Sequence, residues 1–184
     1  MNLITRSPLL LLFSVLFFSI QCHANTSAER VFSTVNQRLS YMEDVARYKH
    51  QQHLPVEDLT REKIVLKKAL LAAENYGFNI TSIQHFFTVQ INAAKAIQYR
   101  HRADLLAEKN NTQPPKDLIK EVRPALISLG TETLRLLHDY LKDNTAFGPD
   151  QYPLFHQSIT NRYLSDNDKQ LLFDALLNIR LSNN

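Results

Sequence analysis

The sequence predicts an all-α protein, a single-domain helical bundle of about six helices. Three observations point that way. Apolar residues recur at spacings of three and four along most of the chain. No segment alternates apolar and polar in the Val/Ile/Thr-rich manner of a strand. Only three glycines interrupt 184 residues.

The N-terminus reads as an export signal rather than as part of the fold. Met1 to Arg6 give a short positive start, and Leu9–Ile20 is an apolar run. Cys22-His23-Ala24 then supplies the small-residue pattern of a cleavage site. Residues 1–24 are therefore expected to be a signal peptide cleaved near Ala24. Residues 25–184 then form the mature domain, exported to the periplasm or secreted. The apolar run is too short for a good membrane span, so no membrane association is expected after cleavage. Cleavage removes the chain's one cysteine, Cys22, leaving no disulfide and no thiol chemistry. It also lowers the formal charge from +3 to +2 as Arg6 leaves. That weak balance, with no long basic run, argues against a nucleic-acid partner.

The helices follow in order. A first is expected from Ser27 to His53, stopped by Leu54-Pro55. Asp58 is a good N-cap for a second, which runs to Tyr76 with Gly77 as its C-terminal stop. A third starts near Thr81 or Ser82 and reaches about Lys109, before a polar loop. A fourth covers roughly Pro124–Lys142, with a helical turn ahead of it. Pro149 and Pro153 bracket a loop into a short helix near Leu154–Thr160. Ser165 to Asp168 resembles a capping box for a last helix to about Leu181.

Polar residues inside the apolar stripes carry the functional signal. At 100° per residue, Val31, Val35, Met42, Val45 and Lys49 fall between about −20° and +60° of Arg38. Two cations thus stand in an apolar stripe, where burial is costly unless an anion meets them. On the third helix Ile83, Phe87, Ile91, Ala94 and Leu105 lie within about 60° of Gln98. An inward amide needs partners, since an unsatisfied buried polar group costs about 1–3 kcal/mol. Asp58 as N-cap places Arg61 and Glu62 in the first turn of the second helix, beside free backbone N–H groups. Arg123 precedes Pro124, is barred from comfortable helical geometry by the proline ring, and so marks a helix entrance. Together Arg38, Lys49, Arg61 and Arg123, accented by Gln98 and Glu62, suit a small ligand with two carboxylates. His50 and His53 have no third ligand at suitable spacing, so no metal is assigned.

The spacing Arg38–x10–Lys49–x8–Asp58–x2–Arg61–Glu62, followed by "QINAAKAIQYR" with Gln98, resembles the all-helical chorismate mutases. The leader and the segment "PPKDLIKEVRPALISLG" are similar to their secreted gamma subclass. The resemblance implies an isomerase that converts chorismate to prephenate by an intramolecular Claisen rearrangement, without a cofactor. It implies that Lys49 and Gln98 are catalytic, donating hydrogen bonds to the ether oxygen. It implies that Arg38, Arg61 and Arg123 hold the two carboxylates, Arg123 supplying from the same chain what shorter relatives take from a partner subunit. The Asp58 backbone and the Glu62 carboxylate would bind the ring hydroxyl. A homodimer is implied as well. Ala94 departs from the pattern, standing where relatives offer Ser or Thr, so one hydroxyl contact to a carboxylate is expected to be missing. The rival reading is a non-catalytic periplasmic helical protein that binds a small dicarboxylate or an acidic partner. As an adaptor for an acidic partner it expects Arg38 and Lys49 exposed and no small pocket.

Overall fold

The computed structural model describes residues 26–107, 114–144 and 146–182. The expected leader, with Cys22 and the cleavage position, lies outside them, as does the end of the third expected helix beyond Ala107. Among the described residues the chain is helical, and its one strand-like pairing is an isolated bridge between Phe78 and Leu181.

Among the described residues seven α-helices follow one another: α1 (Ser27–Ser40), α2 (Met42–Gln51), α3 (Leu59–Glu74), α4 (Ile80–Ala107), α5 (Arg123–Asn144), α6 (Tyr152–Ser158) and α7 (Asp166–Leu177). A π-helical turn, Leu118–Val122, precedes α5, and a 3-10 turn, Pro149–Gln151, precedes α6. The expected first helix is therefore two. It breaks at Tyr41, the helix resumes at Met42, and α2 ends at Gln51 before Leu54-Pro55. The last two helices stop short of the expected ends, at Ser158 and Leu177.

Caps account for the helix starts. Thr26 accepts from the Glu29 N–H while Glu29 reaches back to the Thr26 N–H, and Ser165 and Asp168 do the same for α7. Asp58 caps α3 by accepting from the Arg61 N–H at 2.9 Å. The chain leaves α3 through Gly77, whose φ of +69° is the left-handed geometry that glycine adopts without a side-chain clash.

The start of α5 differs from expectation. Arg123 does adopt helical angles, φ −62° and ψ −45°, despite the proline that follows. The π-turn makes this possible. Asp117 accepts from the Ile119 and Lys120 N–H groups at 2.8 Å, and those bonds hold its carboxyl below the usual carboxylate range. The widened turn closes from the Arg123 N–H to the Leu118 carbonyl. Leu118 and Val122 are buried beneath it, so the turn is anchored by its apolar side.

Packing pairs α1 with α5 and α2 with α4, with α3 laid across α4 and α5. The C-terminal helices close the other side, α6 on α1 and α7 on α4. Phe32 is the keystone there. It is fully buried and meets Phe147, Phe155 and Phe173 at ring-centroid distances of 5.8, 5.2 and 6.4 Å. Backbone bonds from Ser182 to Gly77 and from Asn79 to Arg180 fasten the chain end to the α3–α4 turn. By contrast α3 buries only Ala73. Leu66 and Leu70 pack partly buried against the core, Val65, Ala69 and Ala72 line the space between α3, α4 and α5, and Leu59 and Leu71 face solvent.

Phe32→Ala should lower the unfolding free energy by about 3–5 kcal/mol, the usual cost of emptying a large core aromatic site. Urea denaturation followed by circular dichroism measures it.

Candidate active site

The space beneath α3 is a cavity of about 280 Å³, at the small end of the range typical of ligand sites. Helix α4 forms its floor. Phe87, Gln90, Ile91, Ala94, Lys95 and Gln98 recur at three- and four-residue steps and line it from end to end. Arg38, Met42 and Lys49 enter from α1 and α2, Arg61 and Glu62 from α3, and Arg123 and Gly130 from α5. All seven residues expected at a site, Arg38, Lys49, Asp58, Arg61, Glu62, Gln98 and Arg123, line this one cavity.

Charge sets the character of the cavity. Among the described residues, no carboxylate lies within salt-bridge distance of Arg38, Lys49, Arg61 or Arg123. The protein meets the two innermost cations with neutral oxygens instead. Arg38 donates from Nε to Gln90 Oε1 at 3.1 Å and from one terminal nitrogen to the Leu126 carbonyl at 2.7 Å. Burial lowers its pKa to about 10, so it remains a cation at neutral pH. Lys49 donates from Nζ to the Val56 carbonyl at 2.6 Å, which leaves two N–H bonds uncommitted. Burial pulls its pKa below the ordinary lysine value. The charges of Asp58 and Glu62 oppose that shift, and those of Arg123 and Arg102 add to it. The adaptor reading, with Arg38 and Lys49 exposed and no pocket, does not match this arrangement.

Gln98 sits on the floor, 6% exposed. Its Nε2 donates to the Ala94 carbonyl at 3.1 Å and faces the Met42 sulfur at 3.7 Å. The Ala94 carbonyl can only accept, so it fixes which end of the carboxamide points toward it. Among the described residues the second N–H meets only a thioether, a weak acceptor, and Oε1 is buried without a partner. The donor is aimed but under-used.

Both acids among the expected residues are occupied, Asp58 by the cap of α3 and Glu62 by a lysine. Glu62 pairs with Lys95 at 3.2 Å, and Lys95 also approaches Glu57 at 3.6 Å. Partial burial pulls the Lys95 pKa down, but hydrogen bonds and charge from Glu62 and Glu57 outweigh it and raise the value. The other Glu62 oxygen accepts, at 3.4 Å, from the Asp58 N–H. Sequence reasoning did not single out Lys95, Gln90 or Gly130. Lys95 was visible as a cation one residue after Ala94 on the same strip. Gly130 carried no signal, since its role depends on what crosses it: a Cβ there would come within 3.1 Å of an Arg38 terminal nitrogen.

Residues 29–99, which contain six of the seven expected positions, match the family described as Chorismate mutase type II. The chain is also 36% identical over 172 residues to a protein of Yersinia pestis described as a secreted chorismate mutase. That alignment covers 94% of this chain and 91% of that protein. This chain belongs to the chorismate mutase family. A monofunctional chorismate mutase of Enterobacter agglomerans is 35% identical over 157 residues, covering 85% of this chain and 86% of the relative. The fold agrees. The crystal structure of the secreted Yersinia pestis chorismate mutase superposes with a TM-score of 0.76 at 37% identity, covering 83% of this chain and 97% of that one. A chorismate mutase from Burkholderia thailandensis superposes with a TM-score of 0.68 at 26% identity, covering 83% and 98%. Within the family frame the cavity is continuous through one chain, with α5 supplying Arg123.

Proposed function

We propose that the protein rearranges chorismate to prephenate in the cavity beneath α3. The observation that carries this reading is the set of four cations, unpaired with any described carboxylate, converging on one small cavity in a chain of this family. Chorismate brings two carboxylates to cations that have none paired with them. Arg38, Arg61 and Arg123 hold them by charge-assisted hydrogen bonds, and the enolpyruvyl side chain is thereby folded over the ring. That orientation is one part of the rate enhancement.

The other part is electrostatic. As the carbon–oxygen bond stretches and the new carbon–carbon bond forms, negative charge gathers on the ether oxygen. Lys49 offers it an ammonium N–H and Gln98 a neutral amide N–H, the bond now spent on the Met42 sulfur. Both donors are fixed by backbone carbonyls before substrate arrives, so little reorganisation accompanies the reaction. The ring hydroxyl takes over the Asp58 N–H, which now donates to Glu62 at 3.4 Å, and gives its own proton to a Glu62 oxygen.

The same reading takes residues 1–24 as a signal peptide and places the mature protein in the periplasm or outside the cell. The leader's composition and the secreted Yersinia pestis relative support this. No helix among the described residues is long and apolar enough to cross a membrane. A homodimer rests on the family resemblance, and all seven expected site residues come from a single chain.

Purified mature protein should consume chorismate, read as loss of its ultraviolet absorbance, and Lys49→Ala should lower kcat by about 10²–10³ while remaining folded. Wild-type turnover in that variant would refute the role of Lys49. The pH dependence has a definite sign. Lys49 acts charged and its pKa is lowered, so wild-type activity should hold through neutral pH and fall on the alkaline side before an ordinary lysine titrates. Gln98→Glu donates only when protonated, so its kcat should fall as pH rises through the carboxyl's titration; a flat profile there excludes the donor role. Mass spectrometry of the exported protein should find Asn25 as its first residue.

A further inference from the structure

The cavity holds a buried amide that the proposed chemistry leaves unused. Gln90 is 3% exposed and stands on the floor, eight residues before Gln98. Its Oε1 accepts from Arg38 Nε at 3.1 Å, while its Nε2 is buried without a hydrogen-bond partner among the described residues. Native structures rarely leave such a donor idle, because it forfeits its bonds to water and gains nothing in return. Here the idle donor lies in a ligand cavity, beside a guanidinium.

The surroundings restrict what it can meet. Arg38 is held by neutral groups from two elements, Gln90 on α4 and the Leu126 carbonyl on α5. Gly130 supplies clearance on the α5 side, where a methyl would come within 3.1 Å of the guanidinium. One turn after Gln90, Ala94 presents a methyl to the same cavity and offers no side-chain donor. Gln90 is therefore the side chain in that stretch of floor able to add a hydrogen bond next to Arg38.

We propose that Gln90 is a further substrate-binding residue, aligning Arg38 through Oε1 and giving an Nε2 N–H to the carboxylate that Arg38 grips. The inference rests on the chorismate reading above and extends it. The carboxylate end of the substrate would be read by one charged and one neutral donor, geometrically tied to each other. A ligand lacking that carboxylate leaves both buried donors unpaired, so the pair discriminates diacids from monoacids.

The test is steady-state kinetics on chorismate with calorimetric binding of prephenate, comparing wild type, Gln90→Met and Gln90→Glu, each with a melting curve. Gln90→Met keeps the volume and removes the amide. Its KM should rise about tenfold to a hundredfold with kcat within a fewfold of wild type, because the bond is made in ground and transition states alike. Prephenate binding should weaken by a similar factor. Gln90→Glu keeps an acceptor for Arg38 but replaces the donor with an anion, so its KM should rise at least as far. A Gln90→Met variant with KM within twofold of wild type overturns the proposal. So does a lower melting temperature with unchanged KM, which is the signature of a purely structural residue. A Gln90→Glu variant with wild-type KM, beside an impaired Gln90→Met, would show that Gln90 acts only through Arg38 and removes the donor role. Wild-type protein that neither turns over chorismate nor binds prephenate overturns both readings. Active wild type with an indifferent Gln90→Met overturns this one alone.

Discussion

The structure depends on holding a buried guanidinium without a counter-charge. Arg38 lies in the apolar interface of α1, α4 and α5, where a carboxylate would be the cheapest neighbour. The chain offers an amide oxygen and a backbone carbonyl instead. Those acceptors take two of the five N–H donors and leave the positive charge in place. Lys49 is treated the same way by the Val56 carbonyl. Neutral solvation is what keeps the cavity an anion receptor. Acids drawn in to pair with Arg38 and Lys49 would make a more comfortable resting state and fill the place a ligand must take.

The frame that tolerates this strain is built away from the cavity. The Phe32 cluster joins α1 to the two C-terminal helices, and the chain end is laced to Gly77 and Asn79 by backbone bonds. A second polar network fixes α4 from behind. His101 meets the Tyr163 hydroxyl at 2.8 Å, and that hydroxyl donates to Asp104 at 2.7 Å. Burial, with the Asp104 bond, raises the Tyr163 pKa to about 12, so the hydroxyl stays a donor. Both sets brace the helices that carry Arg38 and Gln98. By contrast α3, which lends Asp58, Arg61 and Glu62, buries a single residue and leans on the Lys95 pairs at its start. Elements of so little burial are the ones that open at low cost, and here that element roofs the cavity.

Much of this was legible before any coordinates, for a physical reason. Arg38, Lys49 and Gln98 break an apolar period, and a period is a property of one helix, readable from one stretch of sequence. Asp58 and Gly77 announce helix ends through local backbone chemistry. What escaped was relational. Gln90 falls about 80° from Gln98 on the wheel, just outside the stripe centred there, and only the approach of Arg38 from another helix gives it meaning. Gly130 matters because a guanidinium crosses it. The break at Tyr41 and the π character of the turn expected before the fourth helix have no signature in spacing. The turn is what let Arg123 be helical where its proline neighbour predicted otherwise.

The choice of amides over acids along the floor follows from the same constraint. A carboxylate at position 98 could give the ether oxygen a proton bond only while protonated, and beside Lys49 it would be driven to ionise. A carboxylate at position 90 would pair with Arg38 and cancel the charge that faces the ligand. A carboxamide at each position donates at every pH, accepts where a cation needs an acceptor, and adds nothing to the field. Gln90 gives Arg38 an acceptor and Gln98 brings a donor to the cavity, and neither adds charge to a space of about 280 Å³ lined by Arg38, Lys49, Arg61 and Arg123. At positions 90 and 98 the floor stays neutral so that the cations facing the ligand keep their charge.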